Sequence, residues 1–236
     1  MEYTRAVELA PPGWRHFALQ DLERLPVSVR DHEMARVPPM ERRLLNRGDA
    51  DATERVLRAL FWTLVYHLEA ERWDELVRYE PIPRGLLDAL PGHVEVSVDV
   101  GCGSGRLTGH LAARSERVVA IEPSIGLGSI LARRLPSVWV IAGWAEQLPL
   151  PRHCSQLTAA CGVFGPDPRI LAEMHRVTVP GGCIALINPE SPEWFEERCW
   201  TRITTAQLGA ESHPAWIDEF FGPPDPPHEL VMLRVR

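Results

Sequence analysis

The sequence predicts an α/β protein, a mostly parallel sheet wound with helices, preceded by an N-terminal helical cap. Three observations carry that expectation. Beyond residue 91, runs of Val, Ile, Leu and Ala alternate with helical stretches, the punctuation of parallel βαβ units. The first such run ends in "VDVGCGSGRLT", where Gly101, Gly103 and Gly105 alternate with small residues between a strand and a helix. Before residue 91 the apolar spacing is helical and broken by prolines. The division is therefore expected between residues 1–90, the cap, and 91–236, a Rossmann-like domain.

In the cap, "DATERVLRALFWTLVYHLEA" spaces Val56, Leu57, Leu60, Phe61, Leu64, Val65 and Leu68 as one broad helical stripe. Asp51 is the expected N-cap, with Glu54 three residues on. Further helices are expected in "ERWDELVRY" and "PRGLLDAL". The first strand is Val94 to Val100, where valines alternate with Glu95, Ser97 and Asp99. There follow a helix in "RLTGHLAARS", a strand in "RVVAIEP", a helix in "GLGSILARRL" and a strand in "VWVIAGW". A fourth strand is expected in "QLTAACGVF", a helix in "PRILAEMHRV" and a fifth strand in "CIALINP". The end of the chain reads as a helix in "PEWFEERCWTRITTAQL", a proline-rich stretch without a clear pattern and a last strand in "HELVMLRVR".

Composition narrows the function classes. Hydrophobic content of 45% and charged content of 24% are ordinary for a globular protein. No apolar run reaches the ~20 residues of a membrane helix, and the N-terminal stretch carries acids and no apolar core, so a cytoplasmic protein is expected. The net charge is −7, all 25 basic residues are arginines, and they are scattered among acids. That pattern disfavours a nucleic-acid partner and favours a small or neutral substrate. The five cysteines form no C-x-x-C pair and no histidine pair has ligand spacing, so free thiols and no metal are expected.

A βαβ fold binds ligands beyond the carboxyl ends of its strands, where the glycine stretch lies. Glycines there admit positive φ and let a ligand approach the backbone. The dinucleotide fingerprint G-x-G-x-x-G requires glycine at position 106, which is arginine, and a Walker loop requires a lysine the chain lacks. Both phosphate-binding readings are weakened, and Asp99 just ahead of the glycines suits a cationic amino group better than a pyrophosphate.

With these residues in view, "VDVGCGSGRLTGHLA" resembles motif I of the class I S-adenosylmethionine-dependent methyltransferases, of the broad type 11 group. "VVAIEPS", "AGWAEQLPLP" and "LAEMHRVTVPGGCIALI" are similar to the family's later motifs, in the same order, over about 95 residues. The resemblance implies S-adenosyl-L-methionine as cofactor. It implies that Asp99 takes the methionyl ammonium, directly or through water, while Gly101, Cys102, Gly103 and Gly105 give the methionine and ribose room. Glu122 would accept both ribose hydroxyls, and Pro123 with Ser124 would flank the adenine. Where the family often has an aspartate for the adenine amino group this chain has Trp144, which either stacks on adenine or turns into the core, leaving Ala145 and Glu146 for polar contacts. Cys161 and Gly162 would lie beneath the sulfonium, and Gln156 stands where a structural aspartate is common.

Methyl transfer from a sulfonium needs alignment more than a catalytic group, and the sequence assigns none. Tyr66, His67, His153, His175 and Glu190 read as packed or exposed side chains, and Tyr79 is a candidate to close over the methionine end. The aromatics Trp14, Phe17, Phe61, Trp62, Tyr66, Trp73 and Tyr79 either line a pocket for a small-molecule acceptor or pack the cap. Two rivals are weighed beside the methyltransferase. An NAD-dependent oxidoreductase is disfavoured by the glycine spacing, and a degenerate fold serving as a cofactor-binding or interaction module is kept open by Trp144.

Overall fold

The computed structural model describes residues 2–205, 213–222 and 229–236. Two compact units make up the chain: residues 2–76 with 213–222, and residues 77–205 with 229–236. The division thus falls fourteen residues before the one expected from periodicity, and a late segment returns to the N-terminal unit.

The first unit contains α1 (Tyr3–Glu8), α2 (Val27–Arg36), α3 (Pro39–Leu45), α4 (Ala50–Ala59), α5 (Phe61–Leu68) and α6 (Ala70–Val77). The long apolar stripe is two helices, interrupted at Leu60 (φ −97°, ψ 7°). The cap of α4 is Asp49 rather than Asp51: its Oδ1 accepts the Ala52 N–H at 2.8 Å. A cap needs non-helical backbone, and Asp49 has it (φ −66°, ψ 123°), whereas Asp51 is already in the first turn. The returning helix, Ala215–Phe221, lays Phe220 5.8 Å from Phe61 and Phe221 parallel to Trp62 at 5.9 Å. Gly13 permits that approach, since a β-carbon there would stand 2.4 Å from the Phe220 carbonyl oxygen. The aromatics of the stripe therefore pack on one another, with Tyr66 and Trp73 at 4.9 Å.

The second unit holds β1 (Val94–Val100), β2 (Ser115–Ile121), β3 (Trp139–Ile141), β4 (Ser155–Cys161), β5 (Thr178–Ile187), β6 (Thr201–Thr204) and β7 (Leu230–Val235), in the order β3-β2-β1-β4-β5-β7-β6. The first five strands run parallel, β7 pairs antiparallel with β5, and β6 pairs antiparallel with β7. The connecting helices are α7 (Arg84–Asp88), α8 (Thr108–Ala112), α9 (Ile125–Arg134), α10 (Pro168–Val177) and α11 (Pro192–Glu196). This is the expected α/β, Rossmann-like, mostly parallel sheet.

Each face of the sheet has its own core. Leu86, Leu111 and Leu131 pack with Ala120, Leu157 and Ala185 on one; Leu171, Met174 and Phe195 pack with Val98, Ile121 and Ile184 on the other. Helices on both faces make the strand centres dry, so Ser97 and Asp99 are buried although their alternation with valines reads as solvent-facing. Ser97 is matched by the Ser115 hydroxyl at 2.8 Å.

Three expectations change. β3 is only three residues long, and β5 begins at Thr178, so that "PGG" is strand with a register irregularity opposite Ser155 and Leu157. The helix expected over 192–208 is α11 followed by β6. Cys199 takes a positive φ (62°), which ends the helix, and the β-branched Thr-Arg-Ile-Thr run pairs with β7. Residues 206–208 of that expected helix, and His228 of the last expected strand, lie outside the described residues. Among the described residues no helix is long and apolar enough to cross a membrane.

Candidate functional site

Strand order reverses between β1 and β4, and the chain leaves β1 through residues 101–107 before entering α8. Gly101 and Cys102 both donate their N–H to the Ile121 carbonyl (2.9 and 3.1 Å), which pins the start of the loop to the end of β2. Gly103 donates to Glu122 Oε2 at 2.9 Å, and Ser124 donates to Glu122 Oε1 at the same distance. Glu122 is therefore a buried carboxylate gripped by two main-chain N–H groups, with one further acceptor direction left on each oxygen. Burial pushes its pKa up, while the two N–H bonds hold it down.

Asp99, on the neighbouring strand, is 1% exposed and takes the Thr108 hydroxyl at 2.6 Å on Oδ2. Burial raises its pKa to about 7, against the Thr108 bond, and the charge of Glu122 adds to the rise. Two buried carboxylates thus flank one glycine loop. In this unit the one buried side-chain polar atom without a partner among the described residues is Ser104 Oγ, in the same loop.

The glycines divide the work. Gly101 (φ +69°) leaves its α-carbon open to Val163, whose Cγ1 would be 2.8 Å from a β-carbon there. Gly105 (φ +102°) makes room for a helix instead, since its β-carbon would meet Leu131 Cδ1 at 2.5 Å. Cys102 turns its side chain into the core, so only its main chain borders the loop. Pro123 is half-buried, and the Ser124 hydroxyl caps α9 by accepting the Leu127 N–H at 3.2 Å.

The loop after β3 carries Trp144, half-buried, in a tight turn with Gln147 (N–H to the Trp144 carbonyl, 3.2 Å). Ala145 packs in the core beside Leu148, while Glu146 is half-buried. That loop is braced from α10. Glu173 Oε2 accepts the Leu148 N–H at 2.8 Å, and Arg176 donates to the carbonyls of Leu148 (2.9 Å) and Leu150 (2.7 Å). Glu173 and Arg176 grip each other at 2.6 and 2.7 Å, which holds the Glu173 carboxyl below its ordinary range. Gln156 accepts the Val96 N–H at 2.8 Å, a structural role as expected.

At the end of β4, Cys161 is buried and hydrogen-bonded to Arg106, and burial pushes its thiol up to about 11. Gly162 (φ 64°) extends the ladder by donating to the Ile187 carbonyl at 2.9 Å. Arg106 itself donates to Glu80 Oε2 at 2.5 Å. Thr108, Arg106 and Glu80 had no role in the sequence reading. Only the missing third glycine at 106 marked one of them, because their partners lie far along the chain. Glu190 is exposed, its N–H held by the Phe164 carbonyl at 3.0 Å. His67 and Tyr66 lie in the other unit. Among the described residues no group of three or more His, Cys, Asp or Glu is arranged to hold a metal.

Residues 98–182 match a family model described as a methyltransferase domain. An uncharacterized methyltransferase of Mycobacterium tuberculosis is 32% identical over 127 residues, covering 53% of this chain and 51% of that protein. The malonyl-[acyl-carrier protein] O-methyltransferase of Serratia marcescens is 32% identical over 103 residues, 42% of this chain and 40% of that protein. The chain spans about half the length of the curated relatives it matches, or less. A SAM dependent methyltransferase from Aquifex aeolicus shares the fold, with a TM-score of 0.51 and 17% identity over 70% of this chain and 95% of that one.

Proposed function

We propose that this chain, whose residues 98–182 match a methyltransferase domain, is a class I S-adenosylmethionine-dependent methyltransferase that transfers a methyl group from S-adenosyl-L-methionine to a small-molecule acceptor. The observation that carries the proposal is the pair of buried carboxylates, Asp99 and Glu122, at the ends of adjacent strands with the glycine loop between them.

The donor set fits that cofactor. Glu122 keeps one acceptor direction on each oxygen for two ribose hydroxyls, after its bonds to Gly103 and Ser124. Asp99 is a buried acid whose charged form burial disfavours and a cation would restore, the role of the methionyl ammonium. Gly101, Gly103 and the main chain of Cys102 border the loop that would take the methionine and ribose, and Gly105 serves helix packing. Pro123, Trp144 and Glu146 remain the candidates for the adenine, with Ala145 restricted to main-chain contacts. Cys161 and Gly162 close the floor at the end of β4.

The cofactor supplies a methyl carbon already activated by positive sulfur. The chain's own contribution is to hold the donor by both ends, fix its direction and keep water away from the reacting atoms. A neutral leaving thioether asks for no oxyanion donors, and no side chain is assigned as base.

Calorimetric titration of the whole chain with S-adenosylmethionine, S-adenosylhomocysteine and NADH tests the proposal. Micromolar-range binding of the two adenosyl ligands without NADH is expected, at roughly −8 kcal/mol. Binding of NADH alone, or of none of the three, would sink it.

A further inference from the structure

We propose that Arg106 receives the carboxylate of the cofactor's amino-acid tail and that Glu80 is the positioning residue that holds Arg106 for it. This rests on the methyltransferase reading and adds to it a partner for the one charged group of the ligand that has none above.

The argument begins at Asp99. In an α-amino acid the ammonium and the carboxylate hang from the same carbon, so a cation for the second must lie close to the acid that takes the first. Arg106 is that cation: its charge acts on the Asp99 carboxyl, and its guanidinium hydrogen-bonds the Cys161 thiol at the end of β4. The side chain is 15% exposed, and its partner Glu80 is 19% exposed. Nη1 contacts Glu80 through Oε2 at 2.5 Å and more weakly through the main-chain oxygen at 3.5 Å. A guanidinium offers five N–H donors in a planar fork, so the group can serve Glu80 and a second carboxylate at once.

The other arginine touching the glycine loop is differently employed. Arg134 is exposed and donates to the Ser104 carbonyl at 3.0 Å. Position 106 is also where a dinucleotide loop requires its third glycine, for close packing of the helix on the strand. An arginine there puts a cationic side chain beside the glycine loop, and an amino-acid tail is a ligand that can use it.

The test is calorimetric, on the full chain, with three probes. S-adenosylhomocysteine has the whole tail, its decarboxylated analogue lacks only the carboxylate, and 5′-methylthioadenosine lacks the amino acid. Arg106→Gln is expected to weaken S-adenosylhomocysteine about ten- to a hundredfold and to leave methylthioadenosine within about twofold. Arg106→Lys should recover part of the loss, and Glu80→Gln should lower the same ratio by a smaller factor. In the unmodified chain the decarboxylated analogue should bind about tenfold or more weaker than S-adenosylhomocysteine, a comparison that needs no variant to fold. Equal affinity for those two probes, or an Arg106→Gln variant that loses both adenosyl probes alike, overturns the assignment while leaving the methyltransferase reading intact. Failure of the unmodified chain to bind any probe overturns both.

Discussion

Thr108 donates its hydroxyl to Asp99 Oδ2 at 2.6 Å, and both side chains are sealed from solvent. That bond joins the first residue of α8 to the end of β1 across the glycine loop. It is also the only hydrogen bond described for the side chain of an acid whose pKa burial raises to about 7. A carboxyl in that state holds its proton in the folded protein at a pH where the unfolded chain, near 3.8, has released it. The folded state therefore binds more protons between those values. Its stability contribution is full below pH 3.8 and is lost as pH rises through about 7. The margin by which Asp99→Asn outmelts the unmodified protein should then widen from pH 4 to pH 8, by roughly 2–8 °C. An equal margin at both pH values would refute this. In the unmodified chain, affinity for S-adenosylhomocysteine should fall below pH 7, by up to about tenfold per unit, because the ammonium must displace that proton.

Glu122 serves two N–H donors with two oxygens, and glutamine can serve only one. Glu122→Gln leaves a main-chain N–H facing an amide NH2. It should cost about 1–3 kcal/mol of stability and weaken every adenosine-containing ligand about tenfold or more. Denaturant melts and titration with methylthioadenosine check the two halves separately.

Arg176 holds the loop after β3 through two carbonyls and Glu173. Lysine keeps the charge but cannot span three acceptors with a planar fork. Arg176→Lys should lose about 1–3 kcal/mol and weaken S-adenosylhomocysteine and methylthioadenosine by the same factor. A loss confined to the first ligand would contradict a role at the adenine end.

Gly105→Ala adds a β-carbon at φ +102° within 2.5 Å of Leu131 Cδ1. Strain and overpacking together should cost about 2–4 kcal/mol, read as a lower urea midpoint with unchanged slope. Space for the methyl group, seen as an unchanged midpoint, would show that Leu131 gives way.

Asp49 caps α4, and Asp51 lies in its first turn. Asp49→Ala should cost about 1 kcal/mol, or about 2–4 °C, and Asp51→Ala a few tenths of a kcal/mol. The reverse order would restore the cap to Asp51.

Much of the sheet unit was legible because its signals are local. β1 and α10 begin and end where periodicity puts them, since a strand ending in a glycine turn and a helix capped by Asp167 carry their own punctuation. Asp99, Glu122 and the glycines follow from the same stretch and from its family resemblance. β6 was not legible: Thr201–Thr204 becomes a strand only because β7 offers it an edge. Nor did proline-rich sequence announce that Ala215–Phe221 would bury Phe220 against Phe61 within the helical unit.

By itself the sequence determined the order of strands and helices from β1 to β5 and the ligand class proposed for the glycine loop with the acids that border it, because each is written in neighbouring residues. The tertiary structure decided which distant groups complete them. Glu173 and Arg176 reach the loop after β3 from 25 to 28 residues away, Glu80 meets Arg106 across 26, and Gly103 finds Glu122 across 19. Such partners are chosen by the geometry of a twisted sheet that brings strand ends together, and no local pattern of residues records it.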